Sequence, residues 1–314
     1  MFDRSQGEFE FLENLKHRFK NPHIGDDCAV FPKDGMADQL ISVDLLVEEI
    51  DFRLEWTTGA QLGHKALAVS LSDIAAMAGT ARFALLSIGV PQKLWSTGFL
   101  DDLYAGWHKL AEQYDVELVG GDISRTPERF VIDSIVIGEC PCGAAVPRSA
   151  AKPGDQIFVT GTLGAAAAGL RMLMDDTLAG DRVDSRRRLI SRQLTPQPRL
   201  DFAPGVRGAS AMIDVSDGLA SDLFHICRAS DVGAVIDAGN LPIDPDIVEC
   251  FPDRTTQLDL ALNGGEDFEL LFTANAEEAK GATMIGVITD AVQGMLIKVD
   301  GVTRPLESRG FRHF

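Results

Sequence analysis

Apolar positions along this chain follow two rhythms. Short apolar runs that stop at Gly, Pro or Asp predict strands at Gln39 to Val43, Arg82 to Val90, Val116 to Val119, Phe130 to Gly138, Gln156 to Thr160, Ala211 to Ile213 and Phe268 to Thr273. Longer segments with helical spacing or composition predict helices at Thr58 to Met77, Thr97 to Gln113, Leu163 to Met174 and Asp217 to Ala229. Both kinds occur in both halves, as in mixed α/β chains. No tandem repeat or low-complexity tract interrupts them. The stretch Ala150-Ala-Lys-Pro-Gly-Asp155 is dense in turn formers and precedes a fresh strand. A seam is therefore expected near residue 147, between a unit of residues 1–146 and one of 147–314.

Composition narrows the class. The chain has 314 residues, 45% of them hydrophobic, enough for a sizeable core and for two domains of ordinary size. Its formal charge of −18 repels bare nucleic acid and anionic membranes, so neither is an expected partner. The N-terminal MFDRSQGEFEFLENLKHRF mixes charges throughout, unlike a secretory signal, and no later run is apolar and long enough to span a bilayer. A cytoplasmic location is the resulting expectation. The five cysteines are odd in number, and Cys140-Pro-Cys142 alone cannot complete a tetrahedral zinc site. The six histidines form no H-E-x-x-H.

The candidates for chemistry are aspartates, placed where apolar elements end or where burial is expected. Asp26 and Asp27 adjoin in IGDDCAVF; Asp44 follows LISV; Asp122 follows ELVGG; Asp214 follows SAMI, with Asp217 three residues on; Asp73 interrupts HKALAVSLSDIAAM. Each alone has an ordinary reading, because the short Asp side chain accepts from free backbone N–H groups in turns and at helix starts. Asp217, or Ser216, would cap the helix expected there. Their shared apolar and glycine surroundings favour a joint role. Several carboxylates gathered together cannot all stay ionised without a counter-charge, and a hard divalent cation with oxygen ligands supplies one, Mg2+ being the natural candidate. Such ions would let an acidic protein bind an anionic nucleotide.

Familiar phosphate loops are missing. There is no G-x-x-x-x-G-K-[ST], no protein-kinase signature, and Gly161-Thr-Leu-Gly164 lacks the G-x-G-x-x-G spacing. Gly120-Gly121 and Gly264-Gly265 read either as tight turns or as places where backbone approaches a ligand; the acidic residue after each pair tilts the reading to the ligand.

Taken in order, GEFEFL (7–12), IGDDCAV (24–30), ISVDLLVE (41–48), HKALAVSLSDIAAM (64–77), LVGGD (118–122), AKPGDQIFVTGTLG (151–164), MIDVSDGLASDL (212–223), NGGEDFELLF (263–272) and the terminal GFRHF resemble the thiamine-monophosphate kinases. That family belongs to the superfamily of aminoimidazole ribonucleotide synthetase and selenophosphate synthetase. The resemblance implies a two-domain α/β (α+β) fold, with an N-terminal ATP- and Mg-binding sheet domain that pairs in a homodimer and a C-terminal α/β domain. It implies transfer of the γ-phosphoryl group of ATP to the phosphate of thiamine monophosphate, giving thiamine diphosphate and ADP. By motif position, Asp27, Ser42, Asp44, Asp73, Asp122, Asp214 and Asp217 match magnesium ligands. Tyr104, Gly121, Asp122, Arg148 and Ser216 match ATP contacts. Glu266 and Phe311 match substrate contacts, and Asp51 stands where many relatives carry a substrate-side histidine. Asp44, Asp122, Asp214 and Arg148 form the implied catalytic set.

The residue types suit that chemistry. The acceptor is a phosphate oxygen, already ionised near neutral pH, so a general base is dispensable and positioning plus charge neutralisation remain. Arg148 would add a fixed positive fork. Phe311 reads either as packing at the chain end or as a face for the thiamine cation, and Tyr104 in LYAGW suits an ordinary helix as well as a nucleotide contact. Three departures stand out: Glu49-Ile50-Asp51, Ala78-Gly79 in inverted order, and Ile123 where a polar residue is usual. The rival readings are a sister enzyme of the superfamily, in which a reactive N-terminal cysteine would matter, and a metal or nucleotide sensor without catalysis.

Overall fold

The computed structural model describes residues 8–21, 23–175, 182–275 and 279–311. After α1 (Glu8–Phe19), the strands β1 (Ala29–Pro32), β2 (Ala37–Val47), β3 (Thr80–Pro91), β4 (Glu117–Thr126) and β5 (Val131–Pro141) form one sheet in the order β1-β2-β5-β3-β4. Neighbours are antiparallel except β3 and β4, whose parallel pairing requires the crossover through α3 (Gln92–Trp95) and α4 (Phe99–Gln113). One face of this sheet is buried: Ala84, Leu86, Ile88 and Val90 of β3 alternate in register with Ile132 and Val136 of β5. The other face carries Val43, Leu45 and Phe83, exposed by 61, 57 and 41%, beside half-buried Leu85, Ile135 and Ile137. Edge strand β4 is exposed from Glu117 to Arg125, including Leu118, Val119 and Ile123.

The helix α2 (Gly59–Ala76) begins with a capping box, Thr58 accepting from the Gln61 N–H while the Gln61 side chain takes the Thr58 N–H. It is buried almost all round because it has neighbours on every side. Leu62, Leu67, Leu71 and Ile74 join the core under the first sheet, whereas Ala75 and Ala76 join a second core with Phe158, Met212, Leu270 and Phe272. Helices α2 and α4 meet backbone to backbone: a Cβ at Gly63 would lie 1.9 Å from the Leu103 carbonyl oxygen, and one at Gly106 1.9 Å from that of Ala60.

The second sheet comprises β6 (Gln156–Val159), β7 (Ala211–Asp214), β8 (Val232–Asp237), β9 (Leu270–Ala274), β10 (Thr283–Asp290), β11 (Met295–Val299) and β12 (Val302–Pro305), ordered β12-β11-β8-β10-β6-β9-β7. Only β8 and β11 run parallel. Around it lie α5 (Ala165–Met174), α6 (Val183–Leu194), α7 (Leu219–Ser230), α8 (Pro245–Cys250) and α9 (Arg254–Asn263). Every residue of β9 is buried, so the strand tolerates only apolar side chains and Thr273, whose hydroxyl accepts the Ala211 N–H.

Each strand and helix expected from the pattern is present. The pattern missed α1, α3, α6, α8, α9, β1, β8, β10, β11 and β12.

Candidate active site

Three carboxylates from distant parts of the chain converge at the seam between the sheets. Asp27 precedes β1, Asp73 lies in the last turn of α2 and Asp214 ends β7; each offers an oxygen within 4.8 Å of the others. The charge within an otherwise core helix is thereby explained: Asp73 looks out of α2 into this cluster. Ser42 of β2 donates to Asp73, and Ser72 donates to Asp214 Oδ2 at 2.5 Å. Arg148 forks onto Asp27, Nη2 to Oδ1 at 2.6 Å and Nε to Oδ2 at 3.3 Å, while its backbone N–H donates to Asp26 at 2.7 Å. The adjacent aspartates thus grip two ends of one arginine. Burial is the largest single influence on Arg148 and would lower its pKa, but the charge and hydrogen bond of Asp27 together with the charges of Asp73 and Asp214 outweigh it and hold the guanidinium cationic.

Asp214, Asp73 and Asp44 resist ionisation. Burial, then the Asp27 charge, pushes Asp214 up to about 8; burial, then Asp44 and Asp214, holds Asp73 well above the usual range; burial raises Asp44 too. Asp44 borders the cluster and hydrogen-bonds with Ser70 and Asp73, yet its Oδ2 is buried without a partner among the described residues. Hard oxygen donors, an orphaned buried carboxylate oxygen and suppressed ionisation together fit a divalent cation such as Mg2+.

Asp122 does not join this cluster. Along one row of the first sheet, Asp44, Ser134, Leu86 and Gly121 stand opposite one another, three strand spacings or about 14 Å from end to end. Asp122 is one residue further, in the row of Leu45, Asp133 and Ser87 that points to the uncovered face. Within one chain Asp44 and Asp122 cannot share an ion. Tyr104, Gly121 and Asp122 instead line a hollow of about 500 Å³ with Leu86, Leu118 and Val119.

A single loop after β7 gathers the remaining expected residues. The Glu266 N–H donates to the Ser216 carbonyl at 2.8 Å, that of Phe268 to Val215 at 2.9 Å, and that of Phe311 to Asp217 at 3.2 Å. Glu266 and Phe311 therefore flank the stretch that carries Asp214, Ser216 and Asp217. Glu266 adopts φ +67° and Phe268 φ +51°, left-handed conformations rare for such residues. The Glu266 carboxylate takes a 2.6 Å ion pair from Lys65 and a hydrogen bond from Gln193, two residues the sequence did not single out. Phe311 is 48% exposed, so it is not a core residue. Asp51 folds back, its Oδ2 accepting the Val47 N–H at 2.8 Å and closing the turn after β2.

Several expectations need correction. Neither Asp217 nor Ser216 caps α7; Gly218 holds that position, and its N–H donates to Asp222. Gly265 and Gly121 also pack closely against the protein, since a Cβ would lie 2.5 Å from the Ser216 oxygen at the first and 2.0 Å from that of Leu86 at the second. The N-terminus of α5 after Gly161-Thr-Leu-Gly164 is filled by Asp267, which accepts from the Gly164 and Ala166 N–H groups at 2.5 and 3.1 Å. No phosphate is needed there.

Both halves of the chain match known proteins. Residues 25–140 match the family model for the AIR synthase related protein N-terminal domain, and 152–292 that for its C-terminal domain. The thiamine-monophosphate kinase of Bacillus subtilis is 35% identical over 98% of this chain and 99% of its own length; that of Escherichia coli K12 is 38% identical over 98% of each. The chain belongs to the thiamine-monophosphate kinase family. The solved structure "AaThiL complexed with AMPPCP and TMP" is 31% identical, covers 100% of this chain and 99% of its own, and superposes with a TM-score of 0.90. As for the sister-enzyme reading, Cys28 is 3% exposed, and burial followed by the Asp73 charge pushes its thiol well up, which disables it as a nucleophile.

Proposed function

We propose that this chain transfers the γ-phosphoryl group of ATP directly to the phosphate of thiamine monophosphate, releasing ADP and thiamine diphosphate in the cytoplasm. The observation that carries the reading is the convergence of the Asp27, Asp73 and Asp214 carboxylates, with Glu266 and Phe311 held by backbone hydrogen bonds to Ser216 and Asp217 in the loop that follows Asp214. Asp27, Asp44, Asp73 and Asp214 would hold Mg2+, with Ser42 and Ser72 orienting two of the carboxylates. When bound, Mg2+ neutralises phosphate charge and lowers the repulsion between the two anionic substrates. Arg148 offers a fixed cation beside that charge. Tyr104, Gly121 and Ser216 would contact the nucleotide. Glu266 supplies a negative charge and Phe311 an exposed ring for the cationic heterocycle.

The uncovered apolar face of the first sheet supports a homodimer. Val43, Leu45 and Phe83 with the exposed apolar residues of β4 form the kind of patch and open edge that another chain covers. Asp122 lies on that face, so its role as a ligand is proposed for the paired chain.

The test is ADP release from ATP and magnesium with and without thiamine monophosphate, plus chromatography for thiamine diphosphate. Product is expected only with the acceptor, and is abolished by EDTA and by Asp44→Asn. ADP release indifferent to the acceptor, or an aspartyl-phosphate trapped during turnover, would overturn the reading.

A further inference from the structure

Helix α2 carries a polar stripe on the side facing the second unit. His64 Nε2 lies 2.7 Å from the Pro196 carbonyl oxygen, Lys65 pairs with Glu266 at 2.6 Å, and Ser72 donates to Asp214 at 2.5 Å. Lys65 and Ser72 are seven residues apart, two turns of helix, so they share one side of it at a separation of about 10 Å. One rigid rod therefore touches both the carboxylate cluster and the loop that presents Glu266.

Lys65 is unusual in its surroundings. Its side chain is 4% exposed, and the ammonium is met by Glu266 Oε1. Placing a lysine there costs desolvation that an exposed pair would avoid. Gln193, 4% exposed, reaches Glu266 from α6 through Nε2, and its own Oε1 is buried with no partner among the described residues. A glutamine kept there at the expense of an unsatisfied oxygen serves its donor end. Both donors converge on a carboxylate whose backbone is left-handed and whose side chain remains 28% exposed.

We propose that Lys65 and Gln193 are positioning residues that fix the Glu266 carboxylate for the cationic half of the acceptor, at a distance from the carboxylate cluster set by α2. The proposal rests on the thiamine-monophosphate reading of the site. It locates specificity for the acceptor in a contact between the two domains, since Lys65 belongs to the first and Glu266 and Gln193 to the second.

The experiment is steady-state kinetics on the full chain for wild type, Lys65→Met, Gln193→Met, Glu266→Gln and the double variant Lys65→Met/Glu266→Gln, each checked by circular dichroism. Lys65→Met is expected to raise KM for thiamine monophosphate at least tenfold, with KM for ATP within twofold and kcat within threefold. In the Glu266→Gln background it should add less than twofold. A merely structural lysine would lower the folded fraction, and with it the apparent kcat, without selecting one substrate. Gln193→Met, which removes a buried unpaired oxygen and so does not threaten the fold, should shift the same KM severalfold. If Lys65→Met fails to fold, Gln193→Met decides alone: a selective rise supports the proposal and an unchanged KM overturns it. Additive effects in the double variant would overturn it by showing that Lys65 acts independently of Glu266. An active wild type with unaltered variants refutes the positioning role alone; a wild type that forms no thiamine diphosphate refutes the functional reading beneath it.

Discussion

Replacing Asp214 by Asn turns the electrostatics of the carboxylate cluster into a measurement. Burial and the Asp27 charge lift this carboxyl from 3.8 to about 8. A group whose folded pKa is raised gives stability that is complete below the unfolded pKa and lost as pH climbs through the folded one. The window here opens near 3.8 and closes near 8. At about 1.36 kcal/mol per unit, and allowing for ionisation of the folded group at the upper end, moving from pH 6 to pH 8 in EDTA removes about 2 kcal/mol. Spread over the unfolding entropy of 314 residues, that lowers Tm by about 3–4 °C.

Asp214→Asn deletes this contribution and relieves the charge that raises Asp73, so the variant should lose at least that much of the pH slope. Magnesium acts in the opposite sense. Because it needs ionised ligands, its stabilisation of the wild type should grow between pH 6 and pH 8 and be small in the variant at both. Thermal melts in EDTA or magnesium chloride, for both proteins across that range, make the comparison. Equal slopes in EDTA, or equal magnesium shifts, would refute the reasoning.

Phe311→Ala should raise KM for thiamine monophosphate about tenfold while leaving KM for ATP unchanged, the loss of an exposed aromatic face for a cation; paired initial-rate series check it. Leu45→Lys puts a charge on the uncovered face of the first sheet and should give a monomer by sedimentation velocity without loss of secondary structure. Asp267→Ala leaves the Gly164 and Ala166 N–H groups buried without their acceptor and should destabilise the chain by about 2–4 kcal/mol in urea titration.

Much of the frame was legible because its elements carry strong local signals. Helix α2 has a capping box and a largely apolar composition; β3 and β5 are long apolar runs. The missed elements lack such signals for physical reasons. Gly233 and Gly286 interrupt β8 and β10, and both occur where a Cβ would collide with a neighbouring carbonyl oxygen, 2.7 Å from Asp290 and 2.3 Å from Val235. Helix α6 reads as polar because Arg188 and Arg192 are spent on ion pairs with Asp246 and Glu269, partners dozens of residues away. In the site, aspartates were visible by their apolar company and glycines by their pairing. The supports were not: Lys65 and Glu266 are joined only by the fold, and Asp267 meets the first N–H groups of α5 only in the folded chain.

The same distinction explains how so acidic a chain can handle anions. Surface carboxylates add to a long-range negative field that salt screens. The Asp27, Asp73 and Asp214 group is different, because burial and mutual repulsion favour the protonated form of Asp73 and Asp214. Binding of the proposed divalent ion would then be coupled to proton release, and the protonated carboxyls repel phosphate less. Arg148 meets one member of the group by a direct fork, so a permanent positive charge already stands within the cluster. The negative charge of the whole molecule and the anion-handling capacity of this site are thus set by different residues, and changing the first on the surface should leave the second intact.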